Sequence, residues 1–296
     1  MNEPPTRATD LVRRWTPVLR DAAVDTPRLD AELLIAHALG CDRHRMFLDD
    51  PILDDAQLAR AESLLRHRST DRVPVAYLTE TRWFDELELH VDRRVLVPRP
   101  ETELLVELTV ALAPQDATVI DVGTGSGAIA VSLARRRPDL RITASDIDEA
   151  ALDVARRNAD RHQHPGGMGI AFQHASLLGD WAGEVVVSNP PYVEETARSS
   201  LAPELDHEPD HALYAGNDGL DVIRPLIQQS RERHVGLVLI EHGYAQGTAV
   251  HALLGAAGYR ATTERDLAGH DRVTWALRAD LWPLSAEQQA ALRLLA

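Results

Sequence analysis

The first eighty residues carry apolar side chains at helical spacing. Residues 29–39 place an apolar side chain at about every third or fourth position and stop at Gly40, and Thr26-Pro27 just before them suits the start of a helix. Residues 54–65 show the same pattern a second time. This stretch contains no residue set that is typical of catalysis, so we predict a small helical domain over residues 1–80.

Near residue 83 the helical period gives way to an alternation of polar and apolar residues. Residues 86–91 alternate with a period of two, and residues 94–97 follow after a short charged turn, which is typical of two paired strands. The segment 98–100, which contains two prolines, ends this pattern, and a helical stretch opens at Glu101. We therefore predict a β-hairpin that connects the helical domain to the rest of the chain.

Beyond residue 116 short apolar runs alternate with helical stretches, which predicts an α/β fold with a mostly parallel sheet. The last two runs are separated by residues 264–272 only, too few for a helix, so these two strands should pair antiparallel. This is the Rossmann-like arrangement of class I methyltransferases, and we assign residues 81–280 to the hairpin and this domain. A capping pattern at Ser285 and Gln288 predicts a terminal helix within residues 281–296. The predicted strands cover residues 118–121, 141–146, 170–174, 184–188, 235–240, 259–263 and 273–277.

Charge and composition exclude several classes of protein. The chain has 31 Lys and Arg against 46 Asp and Glu, a net charge of −15, which argues against wrapping duplex DNA. A single cysteine, Cys41, rules out an intrachain disulfide. We see no signal peptide, no membrane span and no metal-binding motif among the thirteen histidines, so we expect a cytoplasmic protein that uses neither a metal nor direct nucleic-acid binding.

A glycine-rich turn follows the first predicted strand of the α/β region. Glycines let the backbone approach a ligand, and the helix that follows presents free N–H groups. Gly123, Gly125 and Ala128 satisfy the dinucleotide pattern, whereas Asp121 ahead of three alternating glycines satisfies the pattern for S-adenosylmethionine. A carboxylate at the end of the next strand suits the ribose of either ligand. The predicted cofactor contacts are Asp121, Gly123, Thr124, Gly125, Ser126, Gly127, Asp146 and Asn189.

The sequence Asn189-Pro190-Pro191-Tyr192 after the fourth strand of the sheet favours S-adenosylmethionine. The prolines remove two N–H donors, which leaves the Asn189 side-chain oxygen and the Pro190 carbonyl as acceptors beside an aromatic face. Two acceptors orient a planar NH2 group and strengthen their hydrogen bonds as positive charge develops on its nitrogen. We predict Asn189, Pro190 and Tyr192 as catalytic residues, and all four as substrate contacts. A dehydrogenase has no use for this element.

Taken together, these motifs make the chain resemble the N5-glutamine methyltransferases that modify peptide chain release factors. The Asn-Pro-Pro-Tyr turn alone is shared with adenine-N6 methyltransferases, whereas residues 98–103 (Pro-Arg-Pro-Glu-Thr-Glu) are much more specific. The resemblance covers nearly the whole chain. It also includes residues 29–34, 74–78, 121–127, 145–146, 207–209, 218–220, 241–243, Gln246 and 266–272.

The resemblance implies transfer of a methyl group from S-adenosylmethionine, with S-adenosylhomocysteine as product, to the glutamine of the Gly-Gly-Gln tip of class I release factors. It implies that the helical domain grips the release factor. Glu101 and Thr102 either line the pocket near the reacting centre or cap the helix that opens there. Three alternatives stay open: a glutamine methyltransferase acting on a ribosomal protein, a DNA adenine methyltransferase, and a silent binding module.

Overall fold

The computed structural model describes residues 5–162 and 167–278, which form two compact units. Unit 1 contains residues up to Thr81 together with Ala202–His207, and unit 2 contains the intervening segment from Arg82 to Leu201 and the chain from Glu208 onwards. The predicted terminal helix within residues 281–296 lies outside the described residues. In the part of the chain that the structure describes, no helix is both long and apolar enough to cross a bilayer.

Within its described residues, unit 1 is a bundle of five α-helices, as the helical period predicts. Helix α2 begins at Pro27 and ends where Gly40 takes a left-handed conformation with φ of +69°. The Asp54 and Gln57 side chains form a capping box at the start of α4. The helices are α1 (Ala8–Asp21), α2 (Pro27–Leu39), α3 (Arg43–Asp49), α4 (Asp55–Thr70) and α5 (Val75–Thr79).

A buried arginine ties a distant segment of the chain into unit 1. Arg68 Nε lies 2.7 Å from Asp30 Oδ2, and its Nη1 lies 2.7 Å from Glu204 Oε1. Arg72 Nη2 donates to the same Glu204 oxygen at 2.6 Å. Glu204 belongs to the short 3-10 helix Pro203–His207, so its two arginine partners explain why the segment Ala202–His207 packs with the N-terminal helices.

The connecting hairpin forms, and its second strand falls within the predicted residues 86–91, but its partner precedes it instead of following it. Strand β1 (Thr81–Phe84) pairs with β2 (Leu87–His90), and the turn uses Asp85 and Glu86 at φ of +45° and +63°. The prediction of a second strand over residues 94–97 was wrong. In that stretch Val95 and Val97 are buried by packing, and the Val97 N–H donates to the Glu208 carboxylate at 3.0 Å instead of to a strand.

Unit 2 is built on a seven-stranded sheet of the predicted kind, in the order β5-β4-β3-β6-β7-β9-β8. Only β9 runs antiparallel, and it separates β7 from β8. The fold class and the antiparallel pairing of the last two strands are confirmed. The strands are β3 (Thr118–Val122), β4 (Arg141–Asp146), β5 (Ile170–His174), β6 (Val185–Ser188), β7 (Leu237–Glu241), β8 (Arg260–Arg265) and β9 (Asp271–Leu277).

Helices cover both faces of this sheet, because neighbouring residues of a strand point to opposite faces. Val119 packs with the cluster around α6 and α7, whereas Ile120 packs with the cluster around α10 and α11. The helices are α6 (Glu103–Leu112), α7 (Ala128–Arg136), α8 (Glu149–His162), α9 (Asp210–Leu213), α10 (Ile223–Glu232) and α11 (Gly247–Ala256), with 3-10 helices at Pro100–Thr102 and Glu195–Ser200.

Candidate active site

The glycine-rich turn joins the carboxyl end of β3 to the start of α7, as predicted. Gly123, Gly125 and Gly127 all have positive φ, at +72°, +53° and +81°. A Cβ on Gly127 would lie 3.1 Å from the Ala155 Cβ, so this glycine is needed for close packing against α8. No atom lies within 4 Å of the Cβ positions of Gly123 and Gly125, which leaves the backbone open to a ligand.

Asp121, the acid ahead of the glycines, is fully buried at the base of this turn. Its Oδ2 accepts hydrogen bonds from the Thr124 hydroxyl at 2.6 Å and from the Ala130 N–H at 3.2 Å, while Oδ1 has no partner in the described structure. Burial raises the pKa of Asp121 to about 7. A cation placed beside the free oxygen would favour the ionised form, which is an electrostatic preference of this turn for a positively charged ligand group.

Asp146 ends β4 beside the turn and braces it. Its Oδ2 accepts the Gly125 N–H at 2.9 Å, and its Oδ1 accepts the Asp148 N–H at 3.0 Å. Each oxygen keeps a second acceptor position, so the carboxylate remains able to accept hydroxyl groups from a ligand. Asp146 is 7% exposed and lines the cavity described below.

Asn158 supports the turn from α8, and the sequence analysis missed it. Its Nδ2 donates to the carbonyls of Ser126 and His90, both at 2.8 Å, and its Oδ1 accepts the His90 N–H at 2.7 Å. The Asn158 side chain is completely buried, and both its amide nitrogen and its amide oxygen form hydrogen bonds. An asparagine within an amphipathic helix gives no signal of such a role, since the partner lies 68 residues earlier on β2.

A cavity of about 400 Å³ opens at the carboxyl ends of β3, β4 and β6. Such a position is where open α/β sheets bind ligands. Of the described residues predicted for the site, only six are among those lining it, and Ala175, Leu177 and Ile147 form an apolar part of its wall. The six are Gly123, Gly125, Asp146, Asn189, Pro190 and Pro191.

The Asn189 side chain has a fixed orientation at this wall. Its Nδ2 donates to the Thr102 hydroxyl oxygen at 3.0 Å. Asn189 and Thr102 are far apart in the sequence but adjacent in space. Thr102 is only 4% exposed. Because the amide nitrogen is engaged away from the cavity, the Asn189 Oδ1 remains as its acceptor, beside the Pro190 carbonyl.

Tyr192 is directed away from the cavity wall and towards β7. Its hydroxyl donates to Glu241 Oε1 at 3.3 Å, and Glu241 is completely buried. Burial raises the pKa of Tyr192 well above its ordinary value, and the Glu241 carboxylate adds to this shift. The phenol therefore stays neutral and acts as a donor.

The two residues predicted at the helix opening occupy different environments. Thr102 bonds to Asn189 and makes no side-chain capping bond to α6. Glu101 is exposed and, with Leu104, Arg265 and Leu267, lines a separate surface cavity of about 320 Å³. The alternative of helix capping therefore does not apply to Thr102, whereas Glu101 belongs to a neighbouring surface.

Gln246 holds the backbone of the Asn-Pro-Pro-Tyr turn. Its Nε2 donates to the carbonyls of Tyr192 and Asp218, both at 3.0 Å, and its Oε1 accepts the Gly243 N–H at 2.8 Å. A Cβ on Gly219 would lie 2.1 Å from the Tyr192 carbonyl oxygen, so only glycine fits there. Sequence reasoning found these residues through the family resemblance alone.

Comparisons with known proteins agree with this geometry. The sequence matches two family models, "PrmC N-terminal domain" over residues 10–79 and "Methyltransferase small domain" over residues 100–220. A protein of Mycolicibacterium smegmatis named release factor glutamine methyltransferase is 40% identical over 92% of this chain and 98% of its own length. A Deinococcus radiodurans protein of the same name is 39% identical over 91% of this chain and 98% of its own length.

A likeness of fold extends to more distant structures. The catalytic domain of hMettl16, solved in complex with the MAT2A 3'UTR hairpin 6, matches 80% of this chain and 88% of its own, with a TM-score of 0.54 and 13% sequence identity. At that identity the match shows a shared fold and nothing about the substrate.

Proposed function

Since this chain belongs to the family of release factor glutamine methyltransferases, we propose that it methylates the side-chain nitrogen N5 of the glutamine in the Gly-Gly-Gln motif of class I peptide chain release factors. The methyl donor in this proposal is S-adenosylmethionine, and S-adenosylhomocysteine is the product. The observation that carries the proposal is the hydrogen bond from Asn189 Nδ2 to Thr102, which leaves Asn189 Oδ1 as an acceptor at the cavity wall.

The residues at the cavity fit S-adenosylmethionine. A carboxylate, Asp146, lies next to the apolar Ile147 and beside the open backbone of Gly123 and Gly125, which suits a ribose beside an adenine ring. Leu177 and Ala175 supply further apolar wall. Asp121 lies behind the glycine turn and not on the cavity wall, so its carboxylate favours the positively charged methionine part through electrostatics.

The proposed chemistry needs hydrogen-bond acceptors and no strong base. Bound S-adenosylmethionine supplies a methyl group on a positively charged sulfur. Asn189 Oδ1 and the Pro190 carbonyl accept the two N–H groups of the glutamine amide, so that the nitrogen lone pair points along the line of attack. These bonds strengthen as the nitrogen becomes positive, which stabilises the transition state more than the ground state. The nitrogen forms its new bond to the methyl carbon while the carbon–sulfur bond breaks and its electron pair stays on sulfur, which would leave S-adenosylhomocysteine. The nitrogen then releases one proton to solvent.

We also propose that unit 1 grips the release factor. Its helices expose apolar side chains: Leu29 and Leu33, one turn apart on α2, are 40% and 37% exposed, and Leu48 on α3 is 75% exposed. Exposed apolar groups of this kind are typical of protein-binding surfaces. Amide exchange of the enzyme mixed with release factor should show protection over α2 and α3, and unchanged exchange there would contradict this role.

Methyl transfer to purified substrates tests the proposed function. The protein is incubated with methyl-labelled S-adenosylmethionine and, in parallel, with a class I release factor, a ribosomal-protein fraction or an adenine-containing DNA duplex. We expect label in the release factor alone, and peptide mapping should place one methyl group on the Gly-Gly-Gln glutamine. Label confined to ribosomal protein or to DNA would mean that this molecule, and not the release factor, is the substrate. No label in any of the three reactions would contradict the methyltransferase activity.

Asp146→Ala should weaken S-adenosylmethionine binding by roughly ten- to a hundredfold, because a charge-assisted hydrogen-bond partner is worth on the order of 1.5–3 kcal/mol. The substitution also removes the acceptor of the Gly125 N–H, so the loop loses one of its anchors. Calorimetric titration gives the dissociation constants. Asp153→Ala, on the exposed face of α8, is the matched control and should bind as the wild type does. Equal affinity in a folded Asp146→Ala protein would remove Asp146 from the cofactor site.

A further inference from the structure

Glu241, the last residue of β7, is a buried carboxylate that the proposed chemistry leaves without a task. Strand β6 pairs in parallel with β7, and Ser188 lies opposite Ile240. The next residues along the two strands are Asn189 and Glu241, so the register places the carboxylate beside the Asn-Pro-Pro-Tyr turn. Glu241 has no exposed surface. A charged group is costly to bury, so such a position calls for specific partners.

Both polar side chains of the turn connect to this carboxylate. The Tyr192 hydroxyl donates directly to Glu241 Oε1 at 3.3 Å. Asn189 connects through one intermediate, because its Nδ2 donates to the Thr102 hydroxyl at 3.0 Å and that hydroxyl lies close enough to the Glu241 carboxyl to lower its pKa. Glu241 Oε2 has no hydrogen-bond partner among the described residues. Glu241 is thus the common end of two paths of polar contacts.

The direction of each bond follows from what an ionised carboxylate can do. It accepts hydrogen bonds and donates none, so the Thr102 hydroxyl must donate its single proton to Glu241. Because the Thr102 hydroxyl directs its proton towards Glu241, its oxygen acts as an acceptor for Asn189. The Asn189 amide therefore turns its NH2 end inwards and its oxygen towards the cavity.

We propose that Glu241 is a positioning residue that fixes the polarity of Asn189 through Thr102 and holds Tyr192 in place. This inference rests on the proposed function, since it concerns the acceptor that orients the glutamine amide. Without an obligate acceptor at the end of the path, the Asn189 amide has no reason to prefer one of its two orientations. With the NH2 end outwards, Asn189 repels the substrate amide it has to orient.

The charges around Glu241 make this path sensitive to pH. Burial raises the pKa of Glu241 to about 7, and Glu101 raises it further, while the Thr102 hydroxyl, Arg272 and Tyr192 oppose the shift. Below this pH the Glu241 carboxyl becomes protonated and can donate to the Thr102 oxygen. The Thr102 hydroxyl can then donate to Asn189, so the Asn189 amide is no longer held in one orientation. We therefore expect kcat at saturating cofactor to fall as the pH drops through about 7.

Glu241→Gln tests the assignment with almost no change in volume. We expect kcat to fall about ten- to a hundredfold, as is typical when a group that orients a contacting ligand is lost. The Michaelis constant for release factor and the affinity for S-adenosylmethionine should change by less than about threefold, and the acid limb of the kcat profile should disappear. Glu264→Gln is the matched control, since among the described residues its carboxylate accepts from Trp275 in the same sheet and takes no part in the site. An unchanged kcat and acid limb in Glu241→Gln would overturn the proposal.

Substitution of Thr102 interrupts the path while leaving Glu241 in place. Thr102→Val should lower kcat as Glu241→Gln does, whereas Thr102→Ser, which keeps the hydroxyl, should retain most of it. Because Thr102→Val removes a donor to the carboxylate, carbon-13 NMR of labelled glutamate should show Glu241 titrating at higher pH, and an unshifted titration would overturn the path. This readout needs no methyl transfer. Inactivity of the wild type would therefore count against the proposed function, whereas active variants would count against the positioning role.

Discussion

Asn189→Ala is expected to lower kcat by about a hundredfold or more, the size of effect seen when one preorganised transition-state partner is removed. The side chain contributes its Oδ1 to the substrate and its Nδ2 to Thr102, so alanine deletes the acceptor and also frees the threonine hydroxyl. The fold should persist, because Asn189 lies at the end of β6 beyond the paired residues. Single-turnover methylation of release factor at saturating cofactor measures the chemical step directly.

Two further variants define what Asn189 does. Asn217→Ala, at an exposed asparagine in the loop that follows α9, should methylate at the wild-type rate. Asn189→Asp keeps an acceptor but cannot donate to Thr102, whose one proton two carboxylates must then share. We expect partial activity from this variant, above that of alanine. Wild-type turnover in Asn189→Ala would show that the amide is not oriented by this residue.

The architecture could be predicted because its signals are local. Runs such as Val185-Val186-Val187 are apolar on both sides, which indicates a buried parallel strand, and the short spacing before β9 leaves room only for an antiparallel pairing. The glycine turn could be found for the same reason, because Gly123, Gly125 and Gly127 follow a strand directly. Each of these inferences uses residues within about one element.

The hairpin shows where local signals fail. Its turn residues, Asp85 and Glu86, take left-handed conformations that are usually marked by glycine or asparagine, so no turn could be recognised at these two residues from the sequence. Arg94 to Val97 alternate like a strand, yet the Val97 backbone binds Glu208, which lies 111 residues later. A periodic pattern shows which residues are buried and not what their backbone pairs with.

Within the candidate site, the sequence predicted residues but not the contacts between distant segments that bring them together. Thr102 precedes β3, Asn189 follows β6 and Glu241 ends β7, and they meet because β6 lies next to β7 in the sheet. The order of the strands in the sheet cannot be derived from the local sequence of each strand. The link from Glu204 to Arg68 and Arg72 is of the same kind, since it crosses more than 130 residues.

Replacing the Gly-Gly-Gln glutamine of the release factor with asparagine should reduce methylation by about a hundredfold or more. Asparagine is one methylene shorter, and a misplacement of about 1 Å at the reacting atoms is enough for roughly that loss. The acceptors at Asn189 and Pro190 are held by Thr102 and by the two prolines, so the site has little freedom to follow the shorter side chain. Alanine at the same position should give no product, because it has no amide.

The same substrate series separates a protein substrate from a nucleic acid. Adenine in DNA presents a similar NH2 group, but reaching it requires base flipping and phosphate contacts, which a chain of net charge −15 is poorly equipped to make. The glutamine, asparagine and alanine release factors and an adenine duplex are therefore assayed at equal concentration with one enzyme preparation. We expect product in the order glutamine far above asparagine, with none from alanine or DNA. Equal rates for the glutamine and asparagine release factors would mean that the site does not discriminate between side chains of different length. Label in the alanine release factor would mean that the methyl group is transferred to a different residue.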